Sequence, residues 1–206
     1  MDLLKAYKKV EEFQNEFEFS RLAFNDVNVK FRDELLTSEL NELRKGIKES
    51  DDVEIVDGIC DMIYVIMGSV HSFSMRIVDD KIIATKEVHT MISKAEEYNN
   101  AISFCFDIAK TLGFYENLDK FFDLVHKSNM SKACKTIDEV HATMAKYSPM
   151  ETMYVEKNGS FLVKSKAPFG DVPANKLLKS VNYRDAKPEL KKELESWRKK
   201  QKVKEN

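Results

Sequence analysis

Breakers of regular structure are scarce in this chain, with six glycines and four prolines among 206 residues. So few over such a length argue for long helices. Cysteine is scarcer still. Cys60, Cys105 and Cys134 are odd in number and widely spaced, and they form no C-x-x-C pair. That excludes a disulfide framework or a zinc site and points to reduced thiols in a cytoplasmic protein. Neither sign of charge dominates. A net charge of −2 lacks the strong basic excess that marks nucleic-acid-binding surfaces, although the stretch Lys191 to Lys204 is rich in lysine. No apolar run approaches the ~20 residues of a membrane span; the longest, Met62–Val70, begins directly after Asp61. The first residues also lack the apolar core and small-residue cleavage site of a signal peptide.

What is present is the balance of a folded globular protein: 43% hydrophobic and 33% charged residues. The length suits one domain with a real core. Apolar residues recur three or four apart in residues 3–18 (Leu4, Tyr7, Val10, Phe13, Phe17), which predicts an amphipathic helix. A second helix fits 30–48. The polar turn Glu49-Ser50-Asp51-Asp52 then caps a third over 53–72, apolar on nearly all sides and therefore central. After a turn at Val78-Asp79-Asp80, helices are expected over 85–112, 116–127 and 131–146. The period changes at 152–164, where Asn158-Gly159 suits a type I′ turn and predicts a small β-hairpin. A charged helix begins near Lys187. The expected fold is mainly all-α, an antiparallel helical bundle with a small C-terminal β-hairpin appendage. Residues 1–206 form a single domain in this reading, with hairpin and basic tail at about 150–206.

The residues that carry chemistry are acids on the wrong faces. With Glu39 at zero on a helical wheel of about 100° per residue, Leu35 and Leu43 flank it at roughly 320° and 40°, and Glu42 falls near 300°. On the next helix Glu54, Asp57 and Asp61 share an arc of about 60°, amid Ile55, Val56, Ile59, Ile63 and Val65. Carboxylates on apolar faces lose hydration and repel one another, which raises their pKa values or recruits a cation. Acids at i and i+3 point the same way, and hard magnesium or manganese takes oxygen ligands. Either pair alone is the ordinary mark of a solvated helix face. Two pairs joined by a short turn bring a metal site level with that bland reading.

Glu39-Leu-Asn-Glu42, eleven residues and Glu54-Ile-Val-Asp57 together match E-x-x-E…E-x-x-D. The arrangement resembles the all-α nucleoside triphosphate pyrophosphohydrolase superfamily of MazG, dimeric dUTPases and phosphoribosyl-ATP pyrophosphohydrolase. Three further segments resemble its MazG-like, phosphoribosyl-ATP-pyrophosphohydrolase-like branch of phages and bacteria. Val56-Asp57-Gly58-Ile59-Cys60-Asp61-Met62-Ile63-Tyr64-Val65 is similar to an ADALADLLYVV run, with Gly58 and Cys60 in place of alanines. Ser128-Asn129-Met130-Ser131-Lys132 matches SNMSK, and Asn175 to Tyr183 is similar to GKVLKSPNY. The resemblance spans roughly Val10 to Leu190. Ser38 departs at a position that is often acidic, which leaves the number of metals open, and 79–125 carries no motif.

The resemblance implies cleavage between the α and β phosphates of a nucleoside triphosphate. Glu39, Glu42, Glu54 and Asp57 would be the catalytic acids and hold Mg2+ or Mn2+, and Glu39 would orient or deprotonate the attacking water. Asp61, Asn129, Lys132, Lys179 and Tyr183 would contact substrate, with Gln14 and Phe17 offered to the base. A homodimer or homotetramer is expected, with no nucleic acid and no membrane as partner. A non-catalytic helical nucleotide-binding or regulatory module is the alternative. The four histidines show no ligand geometry and are read as ordinary surface or core residues.

Overall fold

The computed structural model describes residues 1–17 and 21–204, with side chains to residue 201. Helix α1 (Leu3–Glu16) starts where the Asp2 carboxylate accepts from the Lys5 amide, and it buries Leu3, Ala6, Val10 and Phe13. The predicted last residue of this helix, at position 18, lies outside the described residues. Helix α2 (Asp26–Glu49) begins four residues before its predicted start because the Asn25 side chain caps the Asn28 amide. It ends at Ser50, whose left-handed conformation (φ 54°) turns the chain back.

Helix α3 (Asp52–Ser72) is the central element its all-round apolarity predicts. It packs against α1 and α2 and against the later helices α4 (His89–Thr111), α5 (Leu118–Met130) and α7 (Lys187–Lys204). Val56, Ile59, Ile63, Ile66 and Met67 are wholly buried along it. Helix α7 is docked, with Leu190 and Leu194 in the core and the Trp197 indole N–H donating to the Gly113 carbonyl at 3.1 Å.

Among the described residues the fold is mainly α, with two small antiparallel hairpins. The predicted one is formed by β3 (Thr152–Lys157) and β4 (Ser160–Ser165), with Asn158 and Gly159 both at positive φ. It covers α6 (Ile137–Lys146) through a satellite core of Cys134, Val140, Met150, Val163 and Leu178. The other, β1 (Arg76–Val78) and β2 (Lys81–Ile83), was not expected. Three-residue strands are too short to show alternation, although Asp79 and Asp80 provide the turn at positive φ. The Asn99 amide holds β2 to α4 by bonding both the N–H and C=O of Ile82, each at 2.9 Å.

Later predicted boundaries move as well, and the helix expected over 116–127 is found at Leu118–Met130. The fourth helix starts at His89 rather than Thr85, after the hairpin. The helix expected over 131–146 starts only at Ile137, because Cys134 exchanges both backbone hydrogen bonds with Phe161 at 2.8 Å and ties this stretch to β4. Thr136 then caps α6 by accepting from the Glu139 amide.

Candidate active site

The antiparallel α2–α3 hairpin presents the acids. Asp51 accepts from the amides of Val53 and Glu54 at 3.0 and 3.2 Å, fixing the first turn of α3 and with it Glu54. The two helices approach unusually closely at two glycines. A Cβ on Gly46 would stand 3.0 Å from Glu54 Cβ, and one on Gly58 would stand 3.0 Å from both Cα and Cβ of Leu43. Glu39, Glu42, Glu54, Asp57 and Asp61 thereby lie along the groove between α2 and α3, near enough for their charges to act on one another. All but Glu42 are partly withdrawn from solvent.

Crowding in that groove shows in the electrostatics. Burial first, then the charges of Glu42 and Asp57, raise Glu39 to about 7, with Lys132 opposing. Asp57 rises to about 6, chiefly through burial and despite nearby Lys187, with Asp185, Glu54 and Glu42 adding repulsion. Asp61 is pushed well above the carboxylate range by burial and by Asp57 and Glu39. These are the shifts expected of carboxylates desolvated together.

Positive groups answer them from the other side. Lys132, just past the end of α5, donates to Asn129 Oδ1 at 2.6 Å and lies 5.9 Å above the Phe13 ring. Its ammonium is depressed by burial, while Asp61 and Glu39 support its charge. Asn129 therefore aims Lys132 into the acids. The segment 179–187 packs against the end of α5 and reaches Glu54 through Lys187. The Ser128 hydroxyl donates to the Tyr183 hydroxyl at 3.1 Å, and the Arg184 amide donates to Ser131 Oγ at 2.9 Å. Lys179 is exposed, with its ammonium 4.3 Å over the Tyr183 ring. The Ser128–Lys132 segment and the stretch ending at Tyr183, distant in sequence, thus meet beside the acids.

Lys187 was not singled out from the sequence. At the first turn of α7, its Nζ lies 2.8 and 2.9 Å from the two Glu54 oxygens and 3.9 Å from Asp57 Oδ2. One lysine in a lysine-rich stretch gives no signal until the helix is docked. The first-helix residues behave differently from the acids. Phe17 is fully buried and stacks on Phe13 at 4.3 Å, a core role. Gln14 is also buried, beside Gly68 and the Arg32 guanidinium, and its Oε1 has no hydrogen-bond partner among the described residues. Arg32 donates to Ser69 Oγ at 2.9 Å and to the Val65 carbonyl at 2.6 Å.

The donor set suits a hard divalent cation, since it offers carboxylate oxygens from facing helices and no competing soft ligand within it. Among the described residues, no three His, Cys, Asp or Glu side chains are gathered closely enough to hold an ion. The donors fit in kind, and Lys187 holds one of them.

The chain is 25% identical to "Uncharacterized protein L479" of Acanthamoeba polyphaga mimivirus over a 170-residue alignment, covering 61% of this chain and 67% of the viral protein. No solved structure matches. No helix among the described residues is long and apolar enough to cross a membrane. Residues 8–89, which carry all five acids, match the phosphoribosyl-ATP pyrophosphohydrolase family, itself one of the MazG-like all-α NTP pyrophosphohydrolase superfamily.

Proposed function

We propose that this protein hydrolyses a nucleoside or deoxynucleoside triphosphate between its α and β phosphates, releasing the monophosphate and pyrophosphate. The observation that carries this reading is the acid groove of α2 and α3, faced by Lys132, inside the family-matched segment. Glu39, Glu42, Glu54 and Asp57 would hold Mg2+ or Mn2+. When bound, the metal supplies charge neutralisation at the phosphate oxygens. Glu39, raised to about 7, is poised to take a proton near neutrality. It orients a water whose oxygen bonds to the α-phosphorus and accepts the proton that water loses. The bond from the α-phosphorus to the bridging oxygen breaks, and that oxygen leaves with pyrophosphate.

Lys132 offers its charge to the triphosphate, Asn129 holds the lysine in place, and Asp61 completes the acidic wall. Lys179 and Tyr183 border the same groove. Gln14 and Phe17 are both buried, which supports packing for Phe17 and leaves Gln14 as the first-helix candidate for reading the base only through its unpartnered Oε1. The protein is further read as a cytoplasmic homodimer or homotetramer. Exposed Val27 and Phe31 on α2 support self-association.

The test is pyrophosphate release across the common ribo- and deoxynucleoside triphosphates, with magnesium and with manganese. Release from at least one is expected. No release from any, accompanied by nucleotide-induced thermal stabilisation, would establish the binding-module alternative instead. Lys132→Met should lower kcat/KM roughly tenfold to a hundredfold, the value of a charge-assisted hydrogen bond. Unchanged kinetics would remove Lys132 from the substrate site.

A further inference from the structure

We propose that Lys187 and the divalent metal are alternative partners of Glu54 and Asp57, so that metal loading requires release of this ammonium. The inference rests on the metal-site reading above and adds a competitor belonging to the chain itself.

Both Glu54 oxygens are engaged by Lys187 Nζ at 2.8 and 2.9 Å, with Asp57 at 3.9 Å. A divalent ion approaching the same carboxylate would meet a fixed positive charge at contact range, and repulsion favours one cation or the other. The lysine sits where it does because α7 is anchored independently of it. Leu190 and Leu194 are buried, Asn117 and Lys120 bond Glu193, and Arg198 pairs with Asp52. The ammonium can nevertheless leave. Its side chain is 40% exposed, and a lysine has a flexible four-carbon stem. In this arrangement both Glu54 oxygens are turned to Lys187.

Mn2+ titrated into the full chain without nucleotide, with the free ion followed by electron paramagnetic resonance, tests this directly. Lys187→Met should bind Mn2+ roughly fivefold more tightly than the parent, the scale of a partly exposed ion pair. Lys192→Met, which removes an exposed lysine paired with Glu189 on the same helix, should leave binding unchanged. Equal or weaker binding in Lys187→Met, with the parent binding Mn2+ and the helical circular-dichroism signal intact, would overturn the competition alone. Absence of binding in both proteins would overturn the metal reading and the competition with it. Should the methionine variant lose helicity, Lys187→Gln is read by the same criteria.

Discussion

Glu39→Gln should abolish most turnover while making the metal-free protein more stable at pH 8. The folded state holds this carboxyl at about 7 against an ordinary value of 4.5. Between those values the folded chain binds more protons than the unfolded one, so unfolding free energy falls as pH rises from about 4.5 through 7. Above that window the full cost of the buried charge is present. Glutamine never carries the charge. The variant should therefore gain on the order of 2–3 kcal/mol over the parent at pH 8 and little at pH 5. His71 and His126, both depressed first by burial, bend the stability curve the other way below pH 6.5, but they are common to both proteins and cancel in the difference. Urea denaturation in chelator at the two pH values measures it. On the proposed mechanism, in which Glu39 is the general base, its loss should cost activity roughly a hundredfold or more. A variant that keeps its activity would mean that Glu39 is not catalytic, and one that gains no stability at pH 8 would mean that it is not desolvated.

Such a gain in stability on losing a polar group explains why this part of the molecule was readable from sequence. A helix position surrounded by leucine and isoleucine normally holds an apolar residue, and an acid placed there is a visible anomaly. Glu39 and Asp61 stand out for that reason, and the structure finds both in the α2–α3 groove. Elements with strong periodicity or defined turn chemistry were equally legible. The central helix followed from its apolar circumference, and the β3–β4 hairpin from Asn158-Gly159.

What escaped was whatever depends on contacts between distant segments. Lys187 is chemically ordinary among its neighbours; only the docking of α7 by Leu190 and Leu194 carries it to Glu54. The late start of α6 depends on Cys134 meeting Phe161, a pairing across 27 positions that no local pattern encodes. Asn129 illustrates the intermediate case. Its place beside the acids was expected from the segment it belongs to, but its bond to Lys132 assigns it to orienting that lysine. The buried Arg32 gave no signal either, since an arginine whose partners lie 37 and 33 positions away reads as a surface residue until Ser69 and the Val65 carbonyl are seen to receive it.

Gly58→Val should destabilise the protein by about 3 kcal/mol and reduce activity without touching an acid. In sequence, Gly58 is only a departure from the alanine usual in the segment it resembles. In the structure it is where α3 meets the backbone of α2, and a Cβ there would stand 3.0 Å from Leu43 Cα and 3.0 Å from its Cβ. Leu43 is wholly buried, so α2 can yield only by moving outward. Alanine gains up to about 1 kcal/mol of helix propensity over glycine, which offsets part of its overlap. Valine adds two further methyl groups and gains less propensity, so overlap decides its sign. The outward shift also separates Glu39 and Glu42 from Glu54 and Asp57, and a displacement of about 1 Å in a catalytic constellation costs on the order of a hundredfold. The expected ordering in both stability and kcat is parent, then Gly58→Ala, then Gly58→Val, by urea denaturation and pyrophosphate release. A valine variant as stable and as active as the parent would show that the spacing of these two helices does not set the geometry of the acids.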